Sequence, residues 1–158
     1  TTVLRNEGPF GTGSLQVYIE HDPNYHYFNF SDEDRARLLP AAVFDLLVNN
    51  ADRKGSHILV DPQKKIWLID HGLCFHEEEK LRTVIWDFSG QPIPVDLLDG
   101  LRRFKTDMNE NGELFSKLAD FLSERELSAL ETRCERLLTD GCFPNPPSDR
   151  RAFPFPPV

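Results

Sequence analysis

The side chains best suited to chemistry lie close together near the middle of the chain. They are two carboxylates, a lysine and two imidazoles, from Asp52, Asp70, Lys54, His57 and His71. Carboxylates hold hard divalent cations, and a lysine beside them offsets the negative charge of a phosphate group. These residue types therefore predict metal-assisted handling of a phosphate.

A β-hairpin is the element that must position these side chains. Residues 57–60 and 66–69 read as two short strands joined by a polar turn. If the turn centres near Gln63, His57 lies almost opposite Asp70, and the loops before and after the hairpin share one rim.

Each of these residues also has a simpler interpretation, which the sequence leaves open. Asp52 and Asp70 could cap turns, and Lys54 could be a solvated surface charge. Asp70 is the hardest to explain in this way because it directly follows an apolar strand. A free carboxylate there is costly unless a cation or a donor meets it.

The order of these residues resembles a known pair of motifs. Asp52-Arg53-Lys54-Gly55-Ser56-His57, followed by Ile69-Asp70-His71-Gly72, is similar to the catalytic loop and metal-binding segment of the protein-kinase-like superfamily. The most similar branch is the phosphatidylinositol 3-/4-kinase-like family, especially its bacterial phosphatidylinositol-kinase-like proteins. In that branch the loop reads Asp-Arg and an isoleucine precedes the metal segment.

The resemblance implies ATP and Mg²⁺ or Mn²⁺ as cofactors and assigns a role to each matching residue. Asp52 matches the catalytic aspartate, which orients or deprotonates the attacking hydroxyl. Lys54 matches the lysine that steadies the γ-phosphate in many protein kinases. Asp70 matches the aspartate that binds the metal bridging the β- and γ-phosphates.

Nucleotide contacts are also implied by the resemblance. The segment Val17-Tyr18-Ile19-Glu20 falls where the hinge strand of the family joins its two lobes and meets adenine. Tyr18, Ile19 and Glu20, together with Ile69 beside the metal segment, are the expected nucleotide-binding residues.

The chain departs from the family pattern in two ways. His57 stands where the catalytic loop of the family has a metal-binding asparagine. Imidazole suits later metals than Mg²⁺, so we expect an altered site, with His57 and Asp70 as ligands and a shifted preference toward Mn²⁺. The phosphate-covering glycine-rich loop and the strand lysine of the family are missing, so an N-lobe is expected upstream.

The predicted fold class is α+β, a mostly helical kinase-like C-lobe with small β-hairpins and the last strands of an N-lobe. Residues 1–20 are the expected end of the N-lobe and its hinge strand, and residues 21–140 the C-lobe. The catalytic loop spans residues 50–57 and the metal segment residues 69–72. A Pro/Phe-rich tail follows at 141–158; it either packs its phenylalanines along the helical body, which we favour, or offers a peptide to a partner.

Local signals give the approximate bounds of the elements outside the site. A glycine-rich turn joins a first strand to an alternating strand at 15–20, and Ser31 opens a helix that Pro40 follows with a second. Apolar residues at helical spacing predict helices over 95–108 and 114–122, and the box Ser123-x-x-Glu126 predicts the start of a third.

Composition limits the class of protein. The chain has 158 residues and a formal net charge of -8, with no concentrated basic patch, so nucleic acid is not an expected partner. No apolar run reaches the roughly 20 residues of a transmembrane helix, which leads us to expect a cytoplasmic protein. Three cysteines without paired spacing favour reduced thiols over a disulfide framework.

The expected function is therefore transfer of the γ-phosphate of ATP to a hydroxyl acceptor that the sequence does not identify. The main alternative is a kinase-like module that binds a nucleotide or a partner without turnover. A metallohydrolase or zinc site built from Asp70, His71, Cys74 and His76 is a further alternative, and so is nucleotidyl transfer from the same site.

Overall fold

The computed structural model describes residues 2–109 and 112–158. Over these residues the chain forms five α-helices and two two-stranded antiparallel sheets, which confirms the predicted α+β class. The strands are β1 (Thr2–Arg5), β2 (Gly13–Gln16), β3 (Ile58–Val60) and β4 (Ile66–Leu68). The helices are α1 (Asp32–Ala36), α2 (Leu39–Val48), α3 (Val95–Asp107), α4 (Glu113–Ala119) and α5 (Glu124–Asp140).

The first sheet is a hairpin that stands away from the core. Thr2 lies opposite Gln16, and every residue of both strands is exposed. The strand predicted over 15–20 is wrong beyond Gln16, since residues 17–20 pair with no other strand among the residues that the structure describes. Val17 and Tyr18 are exposed, so burial of the alternating apolar side chains does not hold this segment in a sheet.

Capping residues set the bounds of α1 and α2. The Ser31 hydroxyl accepts a hydrogen bond from the backbone N–H of Asp34, as its position before an apolar run predicts. Pro40 lies in the first turn of α2, where its missing N–H costs no helical bond. Asn49 ends the helix in the left-handed conformation, with φ of 56°.

The helical body consists of α3, α4 and α5, with α2 packed against α5. Ser123 and Glu126 form the predicted capping box, and Gly141 ends α5 at φ of 60°, a conformation that glycine adopts without a Cβ penalty. Within the described residues, no helix is both long and apolar enough to cross a membrane. The core includes the buried residues Leu38, Leu46, Ile58, Val84, Leu101, Met108, Leu130 and Leu137.

The C-terminal tail is extended and runs back over the molecule toward the loop before β3. Phe143 is buried against Phe88, whereas Phe153 and Phe155 are exposed, so the favoured prediction for the tail phenylalanines holds only for the first of them. Further along, the carbonyl of Ala152 accepts hydrogen bonds from the backbone of Thr83 and from the Trp86 indole. Backbone bonding therefore anchors the tail.

Candidate functional site

The β3–β4 hairpin is the support of the candidate site. Ile58 pairs with Leu68 and Val60 with Ile66. The turn closes on Asp61, whose side chain accepts hydrogen bonds from the backbone of Gln63 and Lys65 and from the Trp67 indole. A carboxylate that satisfies three donors fixes a short hairpin, and with it the position of the loops at the opposite end.

His57 and Asp70 meet at that opposite end, as predicted. The register places His57 opposite Ile69, one residue short of the predicted partner, and the Ile69 N–H donates to the His57 carbonyl at 3.0 Å. The side chains still approach, with His57 Nε2 at 3.5 Å from Asp70 Oδ2. The His57 side chain is 12% exposed and the Asp70 side chain 61%, so a largely buried imidazole lies beside an open carboxylate.

Asp70 holds an uncommon backbone conformation. Its φ is 54°, in the left-handed region that residues with a Cβ rarely adopt. Aspartate adopts this conformation more readily than most residues with a Cβ. The conformation turns the chain directly after β4 and places the carboxylate at the rim.

The surroundings of the His57 ring lower its pKa, which favours the neutral form. Burial is the main cause that lowers its pKa from the ordinary value, and the opposing attraction of Asp70 is smaller. Among the described residues, Nδ1 is buried without a hydrogen-bond partner, and Nε2 faces the carboxylate. A neutral imidazole with one nitrogen at the rim can act as a metal ligand.

Asp52 and Lys54 lie in the loop immediately before β3. Lys54 Nζ is 3.5 Å from Asp52 Oδ2, and both side chains are half-buried. The Asp52 N–H donates to the Asn50 side chain, which fixes the start of the loop. Asp52 raises and Lys54 lowers the pKa of the His57 ring, and both residues lie in the loop that leads into His57.

The residues of the alternative zinc site do not form a metal cluster. Across residues 2–109 and 112–158, no three or more His, Cys, Asp or Glu side chains are arranged to hold a metal ion. Burial raises the pKa of the Cys74 thiol to about 11, which keeps it protonated and a poor ligand. His71 packs edge-on against Phe44, with ring centroids 5.3 Å apart.

The expected nucleotide-binding residues fall in two places. Ile69 is part of the site: its N–H bonds to His57 and its carbonyl to Arg53. Tyr18 and Glu20 are exposed, and the Ile19 carbonyl lies 2.8 Å from the His21 ring nitrogen Nδ1. The described residues show no hydrogen bond, ion pair or ring contact between this segment and the four site residues, so its role stays a prediction.

Sequence reasoning missed the polar residues beneath the site. Asp45 and Arg53 are fully buried and form an ion pair, to which Asn50 and Thr83 add hydrogen bonds. Arg53 directly follows the candidate catalytic aspartate, where it reads as one more loop charge. The one available signal was Asp45, an acidic residue on the apolar face of α2.

Comparison with known proteins places the chain in a family. It is 41% identical over 190 residues to Protein Rv2133c of Mycobacterium tuberculosis (strain ATCC 25618 / H37Rv), an alignment that covers 98% of this chain and 67% of that protein. The chain belongs to the same family as Protein Rv2133c. The alignment is longer than the 158-residue chain, so the relative contains additional residues within it.

No family model matches the chain. No solved structure matches it either. The name Protein Rv2133c states no activity.

Proposed function

We propose that this chain is the C-terminal lobe of an ATP- and metal-dependent phosphotransferase that transfers the γ-phosphate of ATP to a hydroxyl acceptor. The observation that carries the proposal is the grouping of four suited side chains at the base of one hairpin. His57 and Asp70 approach to 3.5 Å, and Asp52 and Lys54 approach each other to the same distance. The resemblance to phosphatidylinositol 3-/4-kinase-like proteins supports this interpretation.

His57 Nε2 and Asp70 Oδ2 are a suitable donor pair for a divalent cation. Ligands in adjacent positions of an octahedral cation are about 3 Å apart, so a separation of 3.5 Å needs little adjustment. Two protein ligands fit a cation that takes its other ligands from water and phosphate oxygens. When bound, such a cation neutralises charge on the phosphates of the nucleotide.

Asp52 and Lys54 supply the other two functions that phosphoryl transfer requires. The Asp52 carboxylate is half-buried and accepts the proton of the attacking hydroxyl. The ammonium of Lys54, beside it, attracts the transferred phosphoryl group and offsets its negative charge. The loop therefore presents a proton acceptor and a cation side by side.

The nucleotide is expected to lie between this site and Tyr18, Ile19 and Glu20. The glycine-rich loop and the phosphate-binding lysine would come from an upstream lobe of the same protein. One third of Protein Rv2133c lies outside the match, which is consistent with a further lobe in this family. The need for ATP places the proposed reaction in the cytoplasm.

A second candidate is an inactive module that binds nucleotide without turnover. The observation in its favour is His57, which replaces the asparagine of the family pattern and offers a nitrogen where Mg²⁺ prefers oxygen. The presence of Asp52, Lys54 and Asp70 in one group favours the active form.

The direct test is ADP formation from ATP by the complete protein, upstream sequence included, with Mg²⁺ and then with Mn²⁺. We expect turnover, and we expect Asp70→Asn to reduce kcat by more than the roughly 10- to 100-fold typical of an outer-shell partner. The amide keeps the size of the side chain and removes the charge that a cation requires.

Asp99→Asn is the matched control, because Asp99 is an exposed aspartate on α3 that pairs with the neighbouring Arg102. It should leave turnover unchanged. No turnover in either metal by folded protein would exclude the phosphotransferase in favour of the inactive module, and release of AMP instead of ADP would identify nucleotidyl transfer.

A further inference from the structure

A fully buried ion pair lies beneath the site. Arg53 and Asp45 are both 0% exposed, and Arg53 Nε is 3.1 Å from each carboxylate oxygen of Asp45. Arg53 Nη2 adds a contact of 3.0 Å to the same carboxylate. Asn50 and Thr83 complete the set, donating to Asp45 at 3.0 and 3.1 Å. The carboxylate therefore holds one side of the guanidinium in a fixed orientation.

The other side of the same guanidinium contacts the open end of the hairpin, where the chain enters β3 and leaves β4. Arg53 Nη1 donates to the Ile69 carbonyl at 2.9 Å and to the His57 carbonyl at 3.3 Å. The first carbonyl belongs to the residue before Asp70, and the second to His57 itself. One nitrogen thus links the backbone at both candidate metal ligands.

The backbone of Arg53 is fixed as well. Its N–H donates to the Arg82 carbonyl, and its own carbonyl accepts from the Val84 N–H. Arg82 and Val84 therefore hold the Arg53 backbone, and Asp45 holds its guanidinium. A group that is immobilised in this way can transmit its position to the carbonyls that it binds.

Stability alone does not explain such an arrangement. Well-packed apolar residues often stabilise a core as well as a buried ion pair does, since desolvation of the charges offsets their attraction. What an apolar side chain does not provide is a donor directed at two carbonyls. The distinctive contribution of Arg53 is geometric.

We propose that Arg53 is a positioning residue that sets the separation of His57 and Asp70, and that Asp45 orients it for this role. The inference rests on the proposed function for the cation that the two ligands would bind. The hydrogen bonds from Arg53 to the His57 and Ile69 carbonyls do not depend on a bound cation, so they can be tested in metal-free protein.

The substitution Arg53→Lys tests the hydrogen-bond geometry of the side chain separately from its positive charge. Arg53→Lys keeps a cation beside Asp45, yet a single ammonium group lacks the planar fork that binds a carboxylate and a backbone carbonyl from opposite sides. The variant is therefore expected to retain the pair with Asp45 and to lose the link to Ile69 and His57.

The matched control is Arg133→Lys. Arg133 is also a buried arginine that donates to two backbone carbonyls, those of Leu47 and His76, but it lies on α5. Loss of stability should be similar in the two variants. An effect on the candidate ligands should appear only with Arg53→Lys.

The experiment uses the complete protein and two readouts. Mn²⁺ binding is followed by electron paramagnetic resonance, and exchange of the Ile69 amide hydrogen, which bonds to His57, is followed by NMR in metal-free protein. We expect Arg53→Lys to weaken Mn²⁺ binding by at least about 10-fold, as for other residues that orient metal ligands. We expect the Ile69 amide to exchange faster, with Arg133→Lys like the natural protein in both measurements.

Each result decides a distinct point. Unchanged Mn²⁺ affinity and unchanged Ile69 exchange in Arg53→Lys would overturn the inference. Absence of Mn²⁺ binding by the natural protein would count against the proposed function, while the exchange readout would still support or refute the positioning role. If Arg53→Lys does not fold, Thr83→Val replaces it: removal of the hydroxyl that donates to Asp45 should give a smaller change in the same direction, and no change would overturn the inference.

Discussion

His57 is the residue that most distinguishes this site from the kinase pattern that it resembles. Its side chain is 12% exposed, burial lowers the pKa of the ring, and the neighbouring Asp70 carboxylate is open to solvent. A nitrogen ligand in this position favours cations later in the transition series than Mg²⁺. Metal preference is therefore the property by which the residue is best examined.

Replacement of His57 by asparagine should shift that preference. The amide oxygen of the introduced side chain is a harder ligand than imidazole, so we expect His57→Asn to raise the ratio of Mg²⁺-supported to Mn²⁺-supported activity by several-fold. Steady-state ADP formation in each metal measures the ratio. His71→Asn is the control, because His71 is close by and is not assigned as a ligand; an equal shift in both variants would contradict the role of His57.

At the scale of elements, the loop before β3 is held from three sides. Beneath it lies the Asp45–Arg53 pair. Above it, the backbone N–H of Gly55 donates to the Pro157 carbonyl of the tail at 2.8 Å. Beside it lies Phe28, in the segment that precedes α1. The loop carrying Asp52 and Lys54 thus depends on segments from both ends of the chain.

Gly55→Ala tests how tightly this loop is packed. An added Cβ would lie 2.9 Å from Phe28 Cε2, closer than carbon atoms approach, so the ring or the loop must shift. We expect a loss of about 1–3 kcal/mol in the free energy of unfolding. Urea denaturation measures it, together with reduced turnover from the displaced loop.

Gly13→Ala is the matched substitution, since nothing lies within 4 Å of its added Cβ on the exposed strand β2. That variant should be close to neutral. A loss of stability for Gly55→Ala no greater than that for Gly13→Ala would show that the loop is not constrained by Phe28.

At the scale of the whole molecule, stability should depend on pH through His57. Burial lowers its folded-state pKa, opposed by Asp70 and Asp52 and reinforced by Arg53 and Lys54. At pH values between the lowered pKa of the folded state and the ordinary imidazole pKa of the unfolded state, His57 binds a proton in the unfolded chain but not in the folded chain. The stability that His57 contributes is therefore fully present at pH values above the ordinary imidazole pKa. It is lost as the pH falls below that pKa.

Urea unfolding of the metal-free protein at a series of pH values between about 5 and 8 measures this dependence. The contribution of His57 to the slope is at most about 1.4 kcal/mol per pH unit. His57→Asn should reduce the slope below the ordinary imidazole pKa and leave it unchanged above. Equal slopes for the two proteins would show that the folded ring titrates normally.

Much of the fold could be predicted because its signals are local. The caps at Ser31 and Ser123, the helical spacing of apolar residues and the turn at 61–65 each involve residues only a few positions apart. The approach of His57 to Asp70 was also predictable, since a short hairpin brings its ends together. The exact register was not, because it depends on how the Asp61 turn closes.

Only the tertiary structure decided the features that join distant parts of the chain. Thr83 donates to Asp45 across 38 positions, the tail meets Gly55 from the far end of the sequence, and Phe143 is buried while Phe155 is not. A sequence pattern shows which residues are apolar or charged. It does not show which distant residues pack against the apolar ones or form hydrogen bonds and ion pairs with the charged ones. By itself, therefore, the sequence determined an α+β chain with candidate site residues on one hairpin, and long-range packing decided that a buried arginine and the tail hold them in place.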